Sequence, residues 1–392
     1  MTTLVFRDGK IADADGTLDA DVAVDTDAGE ILAVGDVSDA VADADGVHEI
    51  DASGRYVAPG LIDAHVHLQM DGRANTEAAQ SEPVESFAFT AASNLRTAVE
   101  NGVTTVRDLG SARGLAIHAR DAVADGRLIG PRVLACGQNI VMTGGHANWF
   151  GREADGTDEV RKAVREQLKR GADVIKCMAT GGVLTTGAQT GSIELTREEL
   201  EEVVRTAETK GASTAAHAHG KRGIVNSAEA GITSVEHGTY MDREAAEVMA
   251  ENDTYWVPTA SALKGIVENP DAGIPEQAMA KAEDAGEAFA SSFDHATAEG
   301  VTIAMGTDSG TPFNYFEEIP QELGYMVEYG LDPETALEAA TVNAAELCGL
   351  DDVGLIEAGY AADLVLLEEN PREDPAAYEN PEVVVADGER VV

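Results

Sequence analysis

Short apolar segments alternate with longer amphipathic segments through most of the sequence, and this alternation constrains the fold more than any other feature. Eight segments have the length and composition of buried strands, at residues 61–64, 103–106, 132–136, 174–178, 213–216, 233–236, 255–258 and 301–305. Acidic segments with apolar residues at helical spacing lie between them, at residues 85–100, 158–170, 197–210, 243–251 and 276–299. Strands that alternate with helices form a parallel sheet, and eight such units predict an α/β fold that closes into a (β/α)8 TIM barrel.

The two chain ends differ from this middle region. Residues 1–57 contain short alternating strands broken by Asp and Gly, and residues 360–392 repeat that character. Because the two ends share this pattern, we expect them to pair in one small β-sandwich domain. The predicted organisation is a β-sandwich formed by residues 1–57 and 360–392, and a barrel formed by residues 58–359.

The sequence is strongly acidic along its whole length: 71 Asp and Glu residues against 27 Lys and Arg residues give a formal net charge of -44. Such a field repels nucleic acid and anionic membranes, so we expect neither as a partner. No apolar run approaches the roughly 20 residues of a membrane helix, and the first residues lack the pattern of a signal peptide. We therefore expect a cytoplasmic protein of a high-salt cell that acts on a small molecule; a homo-oligomer is compatible with the sequence.

Potential metal ligands stand at the carboxyl ends of the predicted strands, where barrel enzymes carry their catalytic groups. His65 and His67 follow the first strand, and residues two apart in a strand share a face, so both imidazoles can point at one cation. The remaining candidates are Lys176 within the fourth strand, His217 at the end of the fifth, His237 at the end of the sixth and Asp308 after the eighth. Because all six candidate residues stand at the same end of the predicted barrel, they predict a metal site there.

Several sequence blocks resemble one family. The run VAPGLIDAHVH at residues 57–67 is similar to the opening of the amidohydrolase superfamily, metal-dependent hydrolases on a distorted (β/α)8 barrel. Further matching blocks are ADVIK (172–176) with a following Gly pair, SVEHGT (234–239), GTD (306–308) and GLIEAGYAADLV (354–365). The blocks TTVRDLG (104–110), TGGH (143–146) and HAHG (217–220) resemble the imidazolonepropionase-like branch, which includes metal-dependent Xaa-Pro dipeptidases (prolidases) and related dipeptidases.

The resemblance implies a binuclear centre. In related binuclear enzymes the lysine of the fourth strand reacts with carbon dioxide, and the resulting carbamate bridges two cations, so we expect a carboxylated, catalytic Lys176. The ligands implied for the two divalent ions are His65, His67 and Asp308 for one and His217 and His237 for the other. Imidazole and carboxylate ligands suit zinc, with manganese or cobalt as alternatives.

Two cations a few ångströms apart lower the pKa of a shared water enough to supply hydroxide near neutral pH, and one of them polarises the scissile carbonyl. We expect Asp308 to take the proton and pass it to the departing amine as acid and base. By resemblance to the dipeptidases, His146 and Tyr240 bind the carboxylate or carbonyl of the substrate. His219 is a competing ligand or a hydrogen-bond donor behind the ligands. Arg107 is expected to pair with Asp108 beneath the site.

The predicted function is hydrolysis of an amide bond in a small substrate, either a dipeptide of the Xaa-Pro type or an N-acyl amino acid. One alternative is opening of a cyclic amide, as imidazolonepropionase performs; the resemblance implies one metal and no bridging lysine there, so Lys176 argues against it. A second alternative is an inactive metal-binding module. The presence of all candidate ligands together with Asp308 argues against that interpretation.

The charge predicts that salt stabilises the fold. Repulsion among the excess carboxylates destabilises the compact state at low ionic strength, and counterions screen it at high ionic strength. We expect the melting temperature to rise continuously between low and molar concentrations of potassium chloride. A melting temperature that does not rise over this range would contradict adaptation to high salt.

Overall fold

The computed structural model describes residues 2–42, 44–183, 189–274 and 276–392. Its strands are β1 (Thr2–Arg7), β2 (Lys10–Asp13), β3 (Gly16–Asp19), β4 (Asp21–Asp25), β5 (Glu30–Gly35), β6 (Gly46–Asp51), β7 (Tyr56–Pro59), β8 (Leu61–Val66), β9 (Val103–Asp108), β10 (Arg132–Ala135), β11 (Ile140–Val141), β12 (Arg152–Glu153), β13 (Val174–Met178), β14 (Ser213–Gly220), β15 (Ser234–Tyr240), β16 (Tyr255–Val257), β17 (Leu364–Leu367), β18 (Val383–Ala386) and β19 (Glu389–Arg390).

The helices are α1 (Ser38–Ala42), α2 (Val84–Glu100), α3 (Leu115–Ala124), α4 (Thr157–Arg170), α5 (Arg197–Ala207), α6 (Lys221–Glu229), α7 (Arg243–Glu251), α8 (Ala260–Val267), α9 (Glu276–Glu299), α10 (Gln321–Glu328), α11 (Pro333–Ala340) and α12 (Val342–Cys348). The five predicted helices correspond to α2, α4, α5, α7 and α9. Local sequence sets their ends: Thr196 and Glu199 form a capping box before α5, and Gly171, at φ 93°, ends α4. Within the described ranges, none of the helices combines the length and hydropathy that crossing a membrane demands.

The middle of the chain is an α/β structure with parallel strands. One sheet has the order β10-β9-β8, and a second has the order β12-β11-β13-β14-β15-β16. A backbone hydrogen bond joins the two sheets on one side: Asp173 N, directly before β13, donates to Ala135 O, at the end of β10, at 2.9 Å. On the far side, Trp256 N donates to Thr302 O and Ala64 N donates to Met305 O, each at 2.9 Å. The segment after α9 therefore lies between β16 and β8.

Two strand predictions need correction. The segment predicted as the eighth strand, 301–305, forms only one isolated bridge, between Ile303 and Trp256. Residues 302 and 304 bond to Trp256 in β16, whereas residue 305 bonds to Ala64 in β8, so no continuous ladder forms with either strand. The fifth and sixth strands run further than predicted, to Gly220 and Tyr240. Consequently His217 and His237 lie inside their strands, not at the ends, because the polar residues that suggested an end are part of the ladder.

The chain ends build two further sheets, with the orders β5-β4-β1-β6 and β19-β18-β17-β7-β2-β3. Side chains of both sheets share one hydrophobic cluster, which includes Phe6 and Val22 from the first and Leu364 and Val385 from the second. Pairing of β17 with β7 joins the C-terminal strands to the N-terminal region. The N-terminal part of this structure extends to Pro59, two residues beyond the predicted bound.

An ion pair connects the central strands to the chain-end sheets. Nη1 of Arg132, in β10, lies 2.7 Å from Oδ2 of Asp363, which precedes β17. The second carboxylate oxygen of Asp363 accepts a hydrogen bond from Asp387 N at 2.8 Å. The Asp363 side chain is only 6% exposed, while Arg132 is 30% exposed. Removal of Asp363 therefore leaves a guanidinium and a backbone N–H without their acceptor.

We expect Asp363→Ala to lower the free energy of unfolding by about 3 kcal/mol, because Arg132 would remain largely buried without its carboxylate partner. Urea denaturation measures the change. The matched control is Asp125→Ala, which breaks the pair with Arg127, where both side chains are 64% exposed. The control should leave the midpoint nearly unchanged. Equal effects of the two substitutions would contradict this role of Asp363.

Candidate active site

Seven polar side chains converge at the carboxyl ends of the parallel strands. All are buried, and their rings and charged groups face a common space. The residues are His65 in β8, His67 directly after it, Lys176 in β13, His217 and His219 in β14, His237 in β15 and Asp308 after the segment that follows α9. The structure thus brings together all six residues predicted as ligands and adds His219.

The potential ligand atoms form two groups. His65, His67 and Asp308 offer ligand atoms that lie within 4.8 Å of one another. Nε2 of His67 is 3.1 Å from Oδ1 of Asp308, and Nε2 of His65 is 3.4 Å from the same oxygen. His217, His219 and His237 form the second group within the same limit. The division of these residues between two cations remains a prediction, and His219, which the sequence offered as a competing ligand, lies beside His217 in the second group.

The outer nitrogens of the histidines have their own partners, which fix the ring orientations. Nδ1 of His67 lies 2.9 Å from Gly110 O, an acceptor, so this nitrogen carries the proton. Nδ1 of His237 lies 2.7 Å from Thr259 Oγ1, whose own hydrogen is donated to Pro258 O. Both contacts leave Nε2 free to bind a cation, which is the arrangement that metal-binding histidines show.

Three residues of the site adopt left-handed backbone conformations that non-glycine residues rarely take: His237 at φ 71°, Thr259 at φ 58° and Asp308 at φ 60°. Such conformations cost free energy and persist where surrounding contacts enforce them. Trp256 Nε1 donates to His237 O at 2.9 Å, and Asp308 N donates to His65 O at 2.7 Å. The fold therefore holds two candidate ligands in strained positions.

Glu236 is a buried residue that the sequence analysis did not assign. Its Oε2 lies 2.9 Å from Nδ1 of His65, and its Oε1 accepts a hydrogen bond from Ser234 Oγ at 2.6 Å. Nη2 of Arg107 lies 3.3 Å from the same carboxylate. Burial opposes ionisation of Glu236, but the positive charges of Arg107 and Lys176 outweigh it and hold its pKa at about 2. A carboxylate behind a histidine orients the ring and strengthens it as a ligand.

The predicted pair of Arg107 with Asp108 is therefore wrong. Successive residues of a strand point to opposite faces, so Arg107 reaches Glu236 across the interior and Asp108 does not face it. Asp108 instead accepts hydrogen bonds from Leu68 N at 2.9 Å and Gly110 N at 3.1 Å. It shapes the loop after His67.

The donor set fits divalent cations. Nζ of Lys176 and Nε2 of His217 are buried and have no hydrogen-bond partner within the described part of the chain. A buried polar group without a partner is costly, so both atoms suit a ligand that completes the site. Burial lowers the pKa of Lys176, which favours the neutral amine that reacts with carbon dioxide. Burial raises the pKa of Asp308, but the neighbouring His65 and His67 outweigh this effect and lower it, so the carboxylate stays ionised.

Two pockets open onto this cluster and share a floor formed by His146, His217, His237, Asp308 and Thr311. The first, which we name the Trp149 pocket, is also lined by Met70, Glu77, Asn148, Trp149 and Phe150. The second, which we name the Phe289 pocket, is also lined by Val183, Leu263, Ile266, Ala285 and Phe289.

The two predicted substrate residues differ in position. His146 borders both pockets, and its ring lies 4.3 Å from that of His217. The carboxylate of Glu194 accepts a hydrogen bond from His146 N at 2.9 Å, a contact that the sequence did not reveal. Gly182 allows the His146 ring to pack against the backbone of residue 182, because a Cβ at that residue would lie 2.4 Å from the ring. The hydroxyl of Tyr240 donates to Asp284 at 2.6 Å, and Tyr240 lies outside the described lining of both pockets.

Parallel strands with histidine, lysine and aspartate at their carboxyl ends are typical of metal-dependent hydrolases. Residues 56–391 match the Amidohydrolase family. An ochratoxinase from Aspergillus niger is 33% identical over 359 residues, which cover 83% of this chain and 73% of the relative. The crystal structure of a Xaa-Pro dipeptidase with bound methionine in the active site has a TM-score of 0.89 and 34% identity, with 99% of each chain covered. That of a prolidase complexed with N-methylphosphonate-L-proline has a TM-score of 0.91 and 28% identity, again with 99% of each chain covered.

The chain belongs to the amidohydrolase family. The family resemblance in the sequence is confirmed, and the relatives identify a hydrolase that acts on C–N bonds. Amidohydrolases generally bind divalent metal ions, and the two histidine and aspartate groups are the candidates for that role.

We expect Glu236→Gln to lower the affinity for Zn²⁺ roughly ten- to a hundredfold, because His65 loses the carboxylate that orients it. The free energy of unfolding of the metal-free protein should fall by about 3 kcal/mol, since Arg107 loses its anionic partner. Competition with a chromophoric chelator measures affinity, and urea denaturation measures stability. Ser234→Ala is the matched control, because it removes one hydroxyl contact of Glu236 but keeps the carboxylate beside His65. Unchanged zinc affinity in a folded Glu236→Gln protein would refute the role.

Proposed function

We propose that this protein is a binuclear metal-dependent amidohydrolase that cleaves the amide bond of a dipeptide of the Xaa-Pro type or of an N-acyl amino acid. The observation that carries the proposal is the presence of two ligand groups in one site with Lys176, whose Nζ is buried without a partner in the described structure. The Xaa-Pro dipeptidase and prolidase among the similar structures support this substrate class. A cyclic amide hydrolase with one metal does not explain a second ligand group.

In this proposal His65, His67 and Asp308 would hold one cation, His217 and His237 would hold the other, and carboxylated Lys176 would be a ligand shared by both. His219 would either complete the second group or support it through its Nδ1 contact with Thr239 Oγ1 at 2.7 Å. When bound, two divalent ions, zinc by the chemistry of the ligands, would supply a water of lowered pKa and polarise the substrate carbonyl.

Asp308 moves the proton in the proposed reaction. Its side chain is part of the shared floor of the two pockets, and its lowered pKa keeps it a carboxylate. It accepts a proton from the attacking water and donates it to the amine nitrogen as the C–N bond breaks. His146 sits between the two pockets, where its ring can donate a hydrogen bond to the substrate carbonyl or carboxylate. The hydroxyl of Tyr240 would have to leave Asp284 to do the same.

The fold supports the same proposal. The hydrogen bonds that join β10 to β13 and both β16 and β8 to the segment after α9 support a distorted (β/α)8 barrel for residues 58–359. The hydrophobic cluster shared by the chain-end sheets supports a β-sandwich for residues 1–57 and 360–392. The charge supports a cytoplasmic enzyme of a high-salt cell that binds a small molecule, with nucleic acid and membranes excluded as partners.

Metal analysis joined to a dipeptide screen tests the proposal. We expect the wild-type protein to contain two metal ions per chain and to hydrolyse at least one Xaa-Pro or N-acyl substrate. Lys176→Ala should lose the bridging ligand, with a fall in kcat of at least about a hundredfold, and a small carboxylate such as formate should restore part of the activity. Lys169→Ala, at an exposed lysine, is the control. One metal per chain together with full activity in Lys176→Ala would overturn the binuclear assignment.

A further inference from the structure

The Trp149 and Phe289 pockets extend in different directions from one floor, and their walls differ in chemistry. The Trp149 pocket contains the carboxylate of Glu77 and the side chain of Asn148 beside its aromatic rings. Beyond the floor, the Phe289 pocket has aliphatic and aromatic walls, formed by Val183, Leu263, Ile266, Ala285 and Phe289. A substrate whose amide bond lies over the shared floor must place its two halves in two different environments.

His219, Thr239 and Thr259 also line the Phe289 pocket, and both hydroxyl groups are already engaged. Thr259 Oγ1 contacts His237, and Thr239 Oγ1 contacts His219, each at 2.7 Å. A charged or polar group in this pocket would lose its water against described walls that are mainly apolar, which is costly. An apolar group would gain from the same loss of water.

We propose that one half of the substrate carries an apolar side chain that occupies the Phe289 pocket, and that Ala285 limits its size. This inference rests on the proposed amide hydrolysis and specifies its substrate class. Ala285 and Phe289 are four residues apart on α9, so they share a face of that helix, and both line the pocket. Ala285, like Ala262, has the smallest side chain among the described residues that line the pocket, so its methyl group leaves space that a substrate side chain fills.

The walls are held rigidly, so the pocket is preformed. Phe289 packs against Trp256, with ring centroids 6.0 Å apart, and against Tyr329 at 5.1 Å. The buried carboxylate of Glu322 accepts hydrogen bonds from Ala260 N and Ser261 N, each at 2.7 Å, and so fixes the start of α8, which carries Leu263 and Ile266. Preformed apolar pockets discriminate ligands by size.

Two substrate series test the inference in the metal-loaded enzyme. Both start from the dipeptide that the wild-type protein hydrolyses fastest; one varies the residue on the carbonyl side and the other varies the residue on the amine side, with Gly, Ala, Leu and Phe. We expect kcat/KM to rise roughly tenfold or more from Gly to Leu in one series only. Ala285→Leu should abolish that rise, so that kcat/KM for the Leu substrate no longer exceeds kcat/KM for the Gly substrate. Leu263→Ala, at a half-buried wall, should raise kcat/KM for Phe relative to Leu.

Ala290→Leu is the matched control, because it adds the same side chain to an exposed position of α9. It should keep the wild-type preference. A preference for Gly in both series, or the same selectivity in Ala285→Leu and wild type, would overturn the inference while leaving amide hydrolysis in place.

Failure of the proposed function gives a different result, namely no hydrolysis of any dipeptide by the wild-type protein. The pocket is then tested by binding alone. Free phenylalanine should raise the melting temperature of wild type and of Ala290→Leu, but not of Ala285→Leu, and glycine should raise none of them. Equal shifts with phenylalanine in all three proteins would overturn the inference independently of catalysis.

Discussion

The buried ion pair between Arg107 and Glu236 is the interaction on which the rest of the site depends. Both side chains are fully buried, and neither charge is tolerable there without the other. Arg107 belongs to β9 and Glu236 to β15, which lie in different sheets, so the pair crosses the interior between them. Nε of Arg107 also donates to Ala64 O at 2.6 Å, directly before His65. One pair of charges thus links the position of His65 to β15, the strand that carries His237.

Contacts from distant parts of the chain also position other candidate ligands, as Gly110 does for His67 and Thr259 does for His237. Asp63 is buried beneath the site, where its carboxylate accepts hydrogen bonds from Thr307 Oγ1 at 2.6 Å and from His65 N at 3.0 Å. This contact joins β8 to Thr307, the residue before Asp308. Asp308 itself adopts a left-handed conformation, in which its Oδ1 lies 3.1 Å from Nε2 of His67. The site therefore depends on contacts between strands and loops that are distant from one another in the chain. No single motif contains enough contacts to build it.

The sequence predicted what depends on local periodicity and missed what depends on partners across the interior. Alternation in a strand correctly placed His65 and His67 on one side, and the spacing of apolar residues correctly identified helices such as α4 and α5. The same alternation, applied to Arg107 and Asp108, excludes the pair that was expected. Glu236 was visible as a charge inside an apolar strand, as Lys176 was, and a buried charge requires a partner. Only the fold shows that this partner is Arg107, which is 129 residues away.

Strand ends were misplaced for a related reason. A histidine in a run of apolar residues suggests a boundary by composition, but β14 continues through His217 and His219. His217 pairs with Glu236 in β15, and the register resumes at Gly220 after an irregularity at His219, whose N–H donates to Thr180 Oγ1 and whose ring contacts Thr239. The segment 301–305 shows the opposite error: its apolar composition is that of a strand, although it bonds to β16 only at residues 302 and 304 and to β8 only at residue 305. Apolar composition indicates that a segment is buried, but whether the segment forms a β-ladder depends on the strands beside it.

Charge balance links the interior to the proposed chemistry. With Lys176 as an ammonium group, its charge and that of Arg107 offset Glu236 and Asp308, two positive charges against two negative ones. In the proposed centre, carboxylation of Lys176 would replace a positive charge by a negative one and would leave the buried cluster with an excess of two negative charges. Because a low-dielectric interior disfavours such an excess, bound divalent cations would have to accompany the modification. We therefore expect carboxylation of Lys176 and metal binding to be coupled in the proposed centre, since the carboxylates of Glu236 and Asp308 would make the modified lysine depend on the cations.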